Sequence, residues 1–188
     1  MGNEESAGIR ALDFDELSPA LQDAFRARYE RLGYLGGFFR YGSHQPDAIL
    51  AFNEFTESLK GALPEDLAEV VALTVASRLN NRYERHQHEL LSIKRGLGEE
   101  FVAAAISGDD RPAAFDERQA AVRALVLAVL ADFGNGANER LADVVRMLGE
   151  ESAIAVLLFI SRYVAHAVVS NTLELEPPVP SIFDEHGG

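Results

Sequence analysis

The stretch Asn80-Asn81-Arg82-Tyr83-Glu84-Arg85-His86-Gln87-His88-Glu89-Leu90-Leu91 decides the reading, together with the apolar run Leu67-Ala68-Glu69-Val70-Val71-Ala72-Leu73-Thr74-Val75-Ala76 before it. Both read as helix. In the first, Glu84 and His88 are four apart, which stacks a carboxylate and an imidazole on one helix face. In the second, Glu69 interrupts an apolar surface, where a carboxylate is costly unless it has a partner. Two carboxylates and a histidine beside an apolar wall are the equipment of proton transfer, because such surroundings push pKa values toward neutrality. Glu69, Glu84 and His88 are therefore the candidate catalytic residues. The plainer alternative is an exposed Glu84–His88 helix pair worth roughly 0.3 kcal/mol.

Outward from this stretch, nearly every segment carries helical periodicity and no alternating strand is evident. Ser18-Pro19 starts a helix through Leu21, Phe25 and Tyr29 that Gly33, Gly36 and Gly37 break. The short aromatic patch Phe38-Phe39-Arg40-Tyr41 reads as a core plug or a pocket lid. A second helix begins near Pro46 and ends at Gly61; a third starts at Pro64 and reaches about Leu79. Asn80-Asn81 makes a break, cap or kink before the motif helix, which runs to Arg95 and ends at Gly96 and Gly98. A short helix, Glu99 to Ser107, precedes the loop Gly108-Asp109-Asp110-Arg111-Pro112. The last third reads as three helices, 116–133, 137–148 and 150–172. The expected organisation is an acidic amino-terminal segment (1–17), one all-helical domain (18–173, with its core motif at 63–108) and a proline-rich acidic tail (174–188). That tail is expected to lie extended over the surface or a neighbouring subunit.

Composition narrows the function. The chain has 188 residues, 47% hydrophobic and 25% charged, enough for one useful core. Lys+Arg 17 against Asp+Glu 30 gives a formal net charge of -13. A surface of that sign repels phosphate backbones and anionic lipid, so neither nucleic acid nor membrane is an expected partner. The amino terminus lacks the basic start and apolar stretch of a signal peptide, and Ala153–Ile160 is far short of a span. A cytoplasmic protein is expected. The chain contains no cysteine, which removes disulfides, thiolate metal sites and a thiol nucleophile.

Around the candidate site, Arg78, Arg82 and Arg85 crowd one region of an acidic chain. An anionic substrate needs such a cation, and Arg82 is the preferred ligand with Arg78 beside it. Tyr83 either lines the cavity or packs in the core. Asn81 is a substrate ligand or an ordinary helix cap. His86 is two residues from His88, about 200° around the helix. It is therefore expected to be exposed or at a subunit contact. Tyr163 and His166, on the last helix, are left open. A Glu–His spacing of four with no second copy departs from the repeated Glu-x-x-His of di-iron bundles, and no metal is assigned.

Leu63-Pro64, Glu69, Asn81-Arg82-Tyr83-Glu84, His88 and Lys94-Arg95-Gly96-Leu97 together resemble the core signature of the carboxymuconolactone decarboxylase and alkylhydroperoxidase D superfamily. The hydroperoxidase pattern has an upstream glutamate, two cysteines three apart, and a histidine four beyond the second. Laid on this chain, these fall on Glu69, Asn81, Glu84 and His88, so the redox pair is missing. The Tyr-Glu pair followed by histidine is similar to decarboxylase-type members. The resemblance implies an all-α helical bundle, a homotrimer or homohexamer, and a cofactor-free enzyme acting on a small carboxylated (anionic) or lactone substrate. In that assignment His88 shuttles the proton, Glu84 orients it and Glu69 completes the relay. The alternative is a non-catalytic helical oligomer that kept the fold and lost its cysteines.

Overall fold

A computed structural model describes residues 5–109 and 112–184. Met1–Glu4, Asp110-Arg111 and Glu185–Gly188 lie outside the described residues, and with them the first acid of the amino-terminal segment, the middle of the expected loop and the end of the tail. The helices are α1 (Pro19–Leu32), α2 (Gly37–Gly42), α3 (Pro46–Ser58), α4 (Glu65–Arg78), α5 (Arg82–Lys94), α6 (Glu99–Ile106), α7 (Glu117–Ala131) and α8 (Asn138–Thr172). The protein is all-α, as expected. One departure among the described residues is a minimal hairpin, β1 (Glu5–Ser6) with β2 (Ile9–Arg10), antiparallel across Ala7-Gly8. Two-residue strands are too short to show alternation in sequence.

The chain forms two compact units. The first comprises residues up to Ser58 together with Val168–Leu175. Ser18 precedes Pro19 at the start of α1, and Gly33 closes it in the left-handed conformation (φ 78). The aromatic patch lies in α2, where Phe38, Phe39 and Tyr41 are buried. Phe39 meets Phe25 at 4.9 Å, and Phe38 meets Phe52 at 5.1 Å between ring centroids. The patch is core of this unit, because its rings pack edge-on and tilted against one another and their neighbours. Ser6 Oγ donates to the Leu173 carbonyl at 2.7 Å, tying the hairpin to the chain after α8.

The second unit comprises Leu59–Ala167 and the chain from Glu176. Its centre is α4, which packs against α5, α6 and α7. Leu67, Val70, Val71, Ala72, Leu73 and Val75 are fully buried, and a helix apolar on every side belongs inside a bundle. Val102, Val122, Leu125, Val126, Val156 and Ile160 close the core around it. The α4–α5 corner shows why two asparagines sit there. Asn80 takes a left-handed backbone (φ 52), so the Asn81 N–H reaches the Ala76 carbonyl at 2.8 Å and ends α4. Asn81 Oδ1 then accepts the Glu84 N–H and starts α5. Gly149 (φ 83, ψ 169) interrupts α8, as the expected division at 148/150 requires. By length and composition alone α8 is apolar enough to cross a membrane. The expectation from Ala153–Ile160 alone was too short, since the apolar run resumes beyond Arg162 through Val169.

Candidate active site

α4 and α5 bring Glu69 and His88 together within the second unit. Glu69 is 2% exposed on α4, held there because the residues around it are core. Along α5 and its C-cap, Glu84, His88, Ser92 and Arg95 recur at helical spacing and form one polar stripe facing it. His88 Nδ1 lies 2.9 Å from Glu69 Oε2, and Ser92 Oγ donates to the same oxygen at 3.1 Å. Arg95 Nη1 donates to Glu69 Oε1 at 2.6 Å. The other imidazole nitrogen, His88 Nε2, is 3.5 Å from Glu84 Oε2 and 3.2 Å from Tyr163 Oη.

α8 supplies the third wall. Arg162 Nη1 donates to Glu84 Oε2 at 2.9 Å, and His166 Nε2 lies 3.1 Å from Glu84 Oε1. The Tyr163 ring stands at 82° to the His88 ring with centroids 5.2 Å apart. The Arg162 guanidinium lies 4.3 Å from the Tyr163 ring centroid. Tyr163 and His166 therefore both reach the site.

The charges sort themselves by partner. Burial alone would raise the Glu69 carboxyl, but His88, Arg95 and Ser92 outweigh it and hold Glu69 below the usual carboxylate range. Burial likewise opposes ionising Glu84, yet His166, Arg162 and His88 leave it well below that range. His88 moves the other way. Burial works against its protonation, but the oxygens of Tyr163, Glu69 and Glu84 raise it well above the ordinary imidazole value. The two carboxylates are the cause we assign, since burial pushes the Tyr163 phenol up and keeps it neutral. Burial pushes His166 down to about 4 despite Glu84. At neutral pH two carboxylates thus face three cations (His88, Arg95 and Arg162), with His166 and Tyr163 uncharged. Two histidines on one carboxylate, displaced in opposite directions, are an acid–base arrangement.

Each remaining candidate has a definite place. Tyr83 is 6% exposed, its ring stacked 5.9 Å from His166. Asn81, 1% exposed, spends its side chain on the cap of α5. Arg78 and Arg82 are exposed, and neither makes an ion pair among the described residues; the cations on the carboxylates are Arg95 and Arg162. His86 corrects the expectation of exposure. It is 3% exposed, because the chain after α8 covers it and the Val179 carbonyl lies 3.2 Å from its Nδ1. The same segment satisfies Glu89, which accepts from Ser181 Oγ at 2.6 Å and from the Ile182 N–H at 3.2 Å. Arg85 Nε stands 3.0 Å from Glu89 Oε1, a charge contact whose angle is not that of a hydrogen bond. No group of histidine, aspartate and glutamate among the described residues has the arrangement of a metal site.

Arg95 and Ser92 were legible by the signal that exposed Glu84 and His88, since they continue the same stripe. Arg162, Tyr163 and His166 repeat the signal of Glu69, polar groups inside an apolar helix, but which face meets α5 is not written in their spacing.

The sequence matches no family model and no curated protein. Several solved structures share the fold. An uncharacterized peroxidase-related protein with an alkylhydroperoxidase AhpD core, from Ralstonia eutropha JMP134, superposes with TM-score 0.76 at 15% identity, covering 89% of this chain and 90% of that one. The debrominase Bmp8 in its apo form gives TM-score 0.78 at 18% identity, covering 92% and 93%. A Bmp8 variant in complex with 2,3,4-tribromopyrrole gives TM-score 0.77 at the same identity, 18%. The chain thus shares the all-α fold of these AhpD-core and debrominase structures.

Proposed function

We propose that this chain is an enzyme that moves a proton on a small carboxylated or lactone substrate, in a decarboxylation, isomerisation or lactone reaction. The observation that carries the reading is the 2.9 Å contact between Glu69 Oε2 and His88 Nδ1. It fixes the imidazole by one nitrogen and leaves Nε2 as the working end, as a carboxylate behind a histidine does in acid–base catalysis. Glu84 faces that working end, and Arg162 or His88 itself supplies positive charge for an anionic group. Arg82 and Arg78, exposed, belong to the approach of such a substrate rather than to its reacting atoms. Bmp8, an enzyme on this fold, supports catalysis as a reading. Thiol peroxidase turnover has no nucleophile in this chain.

The test is a panel of lactones and unsaturated dicarboxylates assayed with wild type and His88→Gln. Gln keeps size and hydrogen bonding without titrating, and loss of a positioned acid or base costs about 10²- to 10⁴-fold in rate. An active substrate turned over equally by His88→Gln would refute the assignment.

One observation favours a second reading, a non-catalytic helical protein. Every carboxylate oxygen of Glu69 and Glu84 already has a cation, hydroxyl or imidazole partner. On that reading the network only holds three helices together, and no member of the panel is turned over.

The same reading takes the chain as a cytoplasmic homotrimer or homohexamer without nucleic-acid or membrane partners. Ile154 and Leu158, exposed on α8, are surface that a second copy covers. Light scattering at micromolar concentration checks this, and a monomer would refute it.

A further inference from the structure

Tyr163 is not explained by the acid–base reading, and it lies against that reading's working atom. Its hydroxyl is 3.2 Å from His88 Nε2, and its ring is 6% exposed. A buried tyrosine hydroxyl ordinarily both accepts and donates. When His88 carries its proton, both ring nitrogens are donors: Nδ1–H goes to Glu69, and Nε2–H points at Tyr163 Oη. Tyr163 can then only accept from His88, and its own O–H has no acceptor among the described residues. Arg162 lies over the ring at 4.3 Å, and a cation there makes the phenol a stronger hydrogen-bond donor. The site therefore presents two proton-bearing atoms, Nε2–H and Oη–H, 3.2 Å apart, in part-buried surroundings.

An enolate offers the matching pair of acceptors. Its oxygen and its nucleophilic carbon are two bonds apart, the charge is shared between them, and each wants a different donor. We propose that Tyr163 is a second catalytic residue, whose hydroxyl binds the oxygen of an enolate or dienolate while His88 Nε2 gives its proton to the carbon. This rests on the acid–base reading and narrows its substrate to a carbonyl compound that passes through an enolate. The enolate arises when a C–H bond yields its proton to Nε2 of neutral His88, or when a C–carboxylate bond leaves its electron pair on the substrate and releases carbon dioxide. The enolate C=C pair then forms the new C–H bond with the proton from Nε2, and the carbonyl is restored. His88 is left neutral with Nδ1–H still on Glu69, and takes its next proton from water or from the following substrate. Tyr163 keeps its proton throughout, as a preorganised donor in a low-dielectric site should.

Substituted phenols test this without knowledge of the substrate, because a phenolate places an anionic oxygen two bonds from a nucleophilic ring carbon. Binding is read from the phenolate absorption band. Wild type should hold the phenol as its anion, and Tyr163→Phe should weaken that binding about 10- to 100-fold, as loss of a hydrogen bond to a charged group does. Wild type that binds no phenolate, or Tyr163→Phe that binds within about twofold of wild type, overturns the proposal. Should Tyr163→Phe fail to fold, the ¹⁵N resonance of His88 Nε2 in wild type carries the test: it must shift on phenolate binding, and no shift overturns the proposal. Turnover of the lactone and dicarboxylate panel is a separate readout. Phenolate binding through Tyr163 with no turnover sinks the acid–base reading and the catalytic role of Tyr163 with it, whereas His88-dependent turnover unaffected by Tyr163→Phe sinks the proposal alone.

Discussion

Glu69→Gln separates two accounts of the same buried carboxylate. Desolvation taken alone predicts that the amide is harmless or stabilising, since it removes a charge from an apolar helix. The structure gives the opposite sign. Glu69 accepts from Arg95 at 2.6 Å, from His88 at 2.9 Å and from Ser92 at 3.1 Å. Gln keeps one acceptor oxygen and turns an N–H toward a donor that has lost its partner. Hydrogen bonds to charged groups are worth about 1.5–3 kcal/mol each, and breaking a buried pair from one side costs about 3–5 kcal/mol. Two effects reduce this. Arg95 is 28% exposed and recovers hydration, and His88 can shed its proton. We expect Glu69→Gln to lose about 2–3 kcal/mol at pH 7. The loss must also depend on pH. Glu69 is held below its ordinary value of 4.5, so its contribution is fully present above that pH and disappears as pH falls through the lower folded value. The assay is urea unfolding followed by circular dichroism, at neutral pH and again in acid. A variant within about 0.5 kcal/mol of wild type at pH 7, or a difference that persists unchanged in acid, refutes the paired network.

The two site histidines should pull stability in opposite directions with pH. His88 is raised, so it stabilises fully below 6.5 and loses that contribution as pH climbs through its higher folded value; His166 is lowered to about 4, so the unfolded chain takes its proton first and stability falls from 6.5 toward 4. Thermal unfolding across pH should show that acid limb, and His166→Asn should flatten it; an unchanged limb means the titration belongs elsewhere. Asn81→Ala should cost about 1 kcal/mol through loss of the α5 cap, read by urea unfolding, and a neutral result would show that the cap carries no weight. Gly149→Ala should cost about 1–3 kcal/mol, because φ 83 with ψ 169 is open essentially to glycine alone; a helical, fully stable variant would show that the break in α8 is not imposed there.

The helices of this protein are written locally. Pro19, Pro46 and Pro64, together with Gly33 and Gly149, set boundaries through their own backbone limits, and the apolar run around Glu69 identifies a core helix by itself. The stripe Glu84, His88, Ser92 and Arg95 is fixed by 3.6-residue periodicity, so half of the candidate site is a property of one helix. The partners across that stripe are another matter. Arg82 sits two residues from Glu84 by sequence and faces water, whereas Arg162 is far away by sequence and lies 2.9 Å from it. His86 looked exposed until the segment at Val179 covered it. Periodicity gives each helix its faces, but the angle at which α8 crosses α5, and the path of the chain beyond it, come from packing among residues that no local rule connects. The same holds for the charges. A buried glutamate and a histidine were legible in the sequence, but the sign of each shift depends on which groups the folded chain places within about 3 Å.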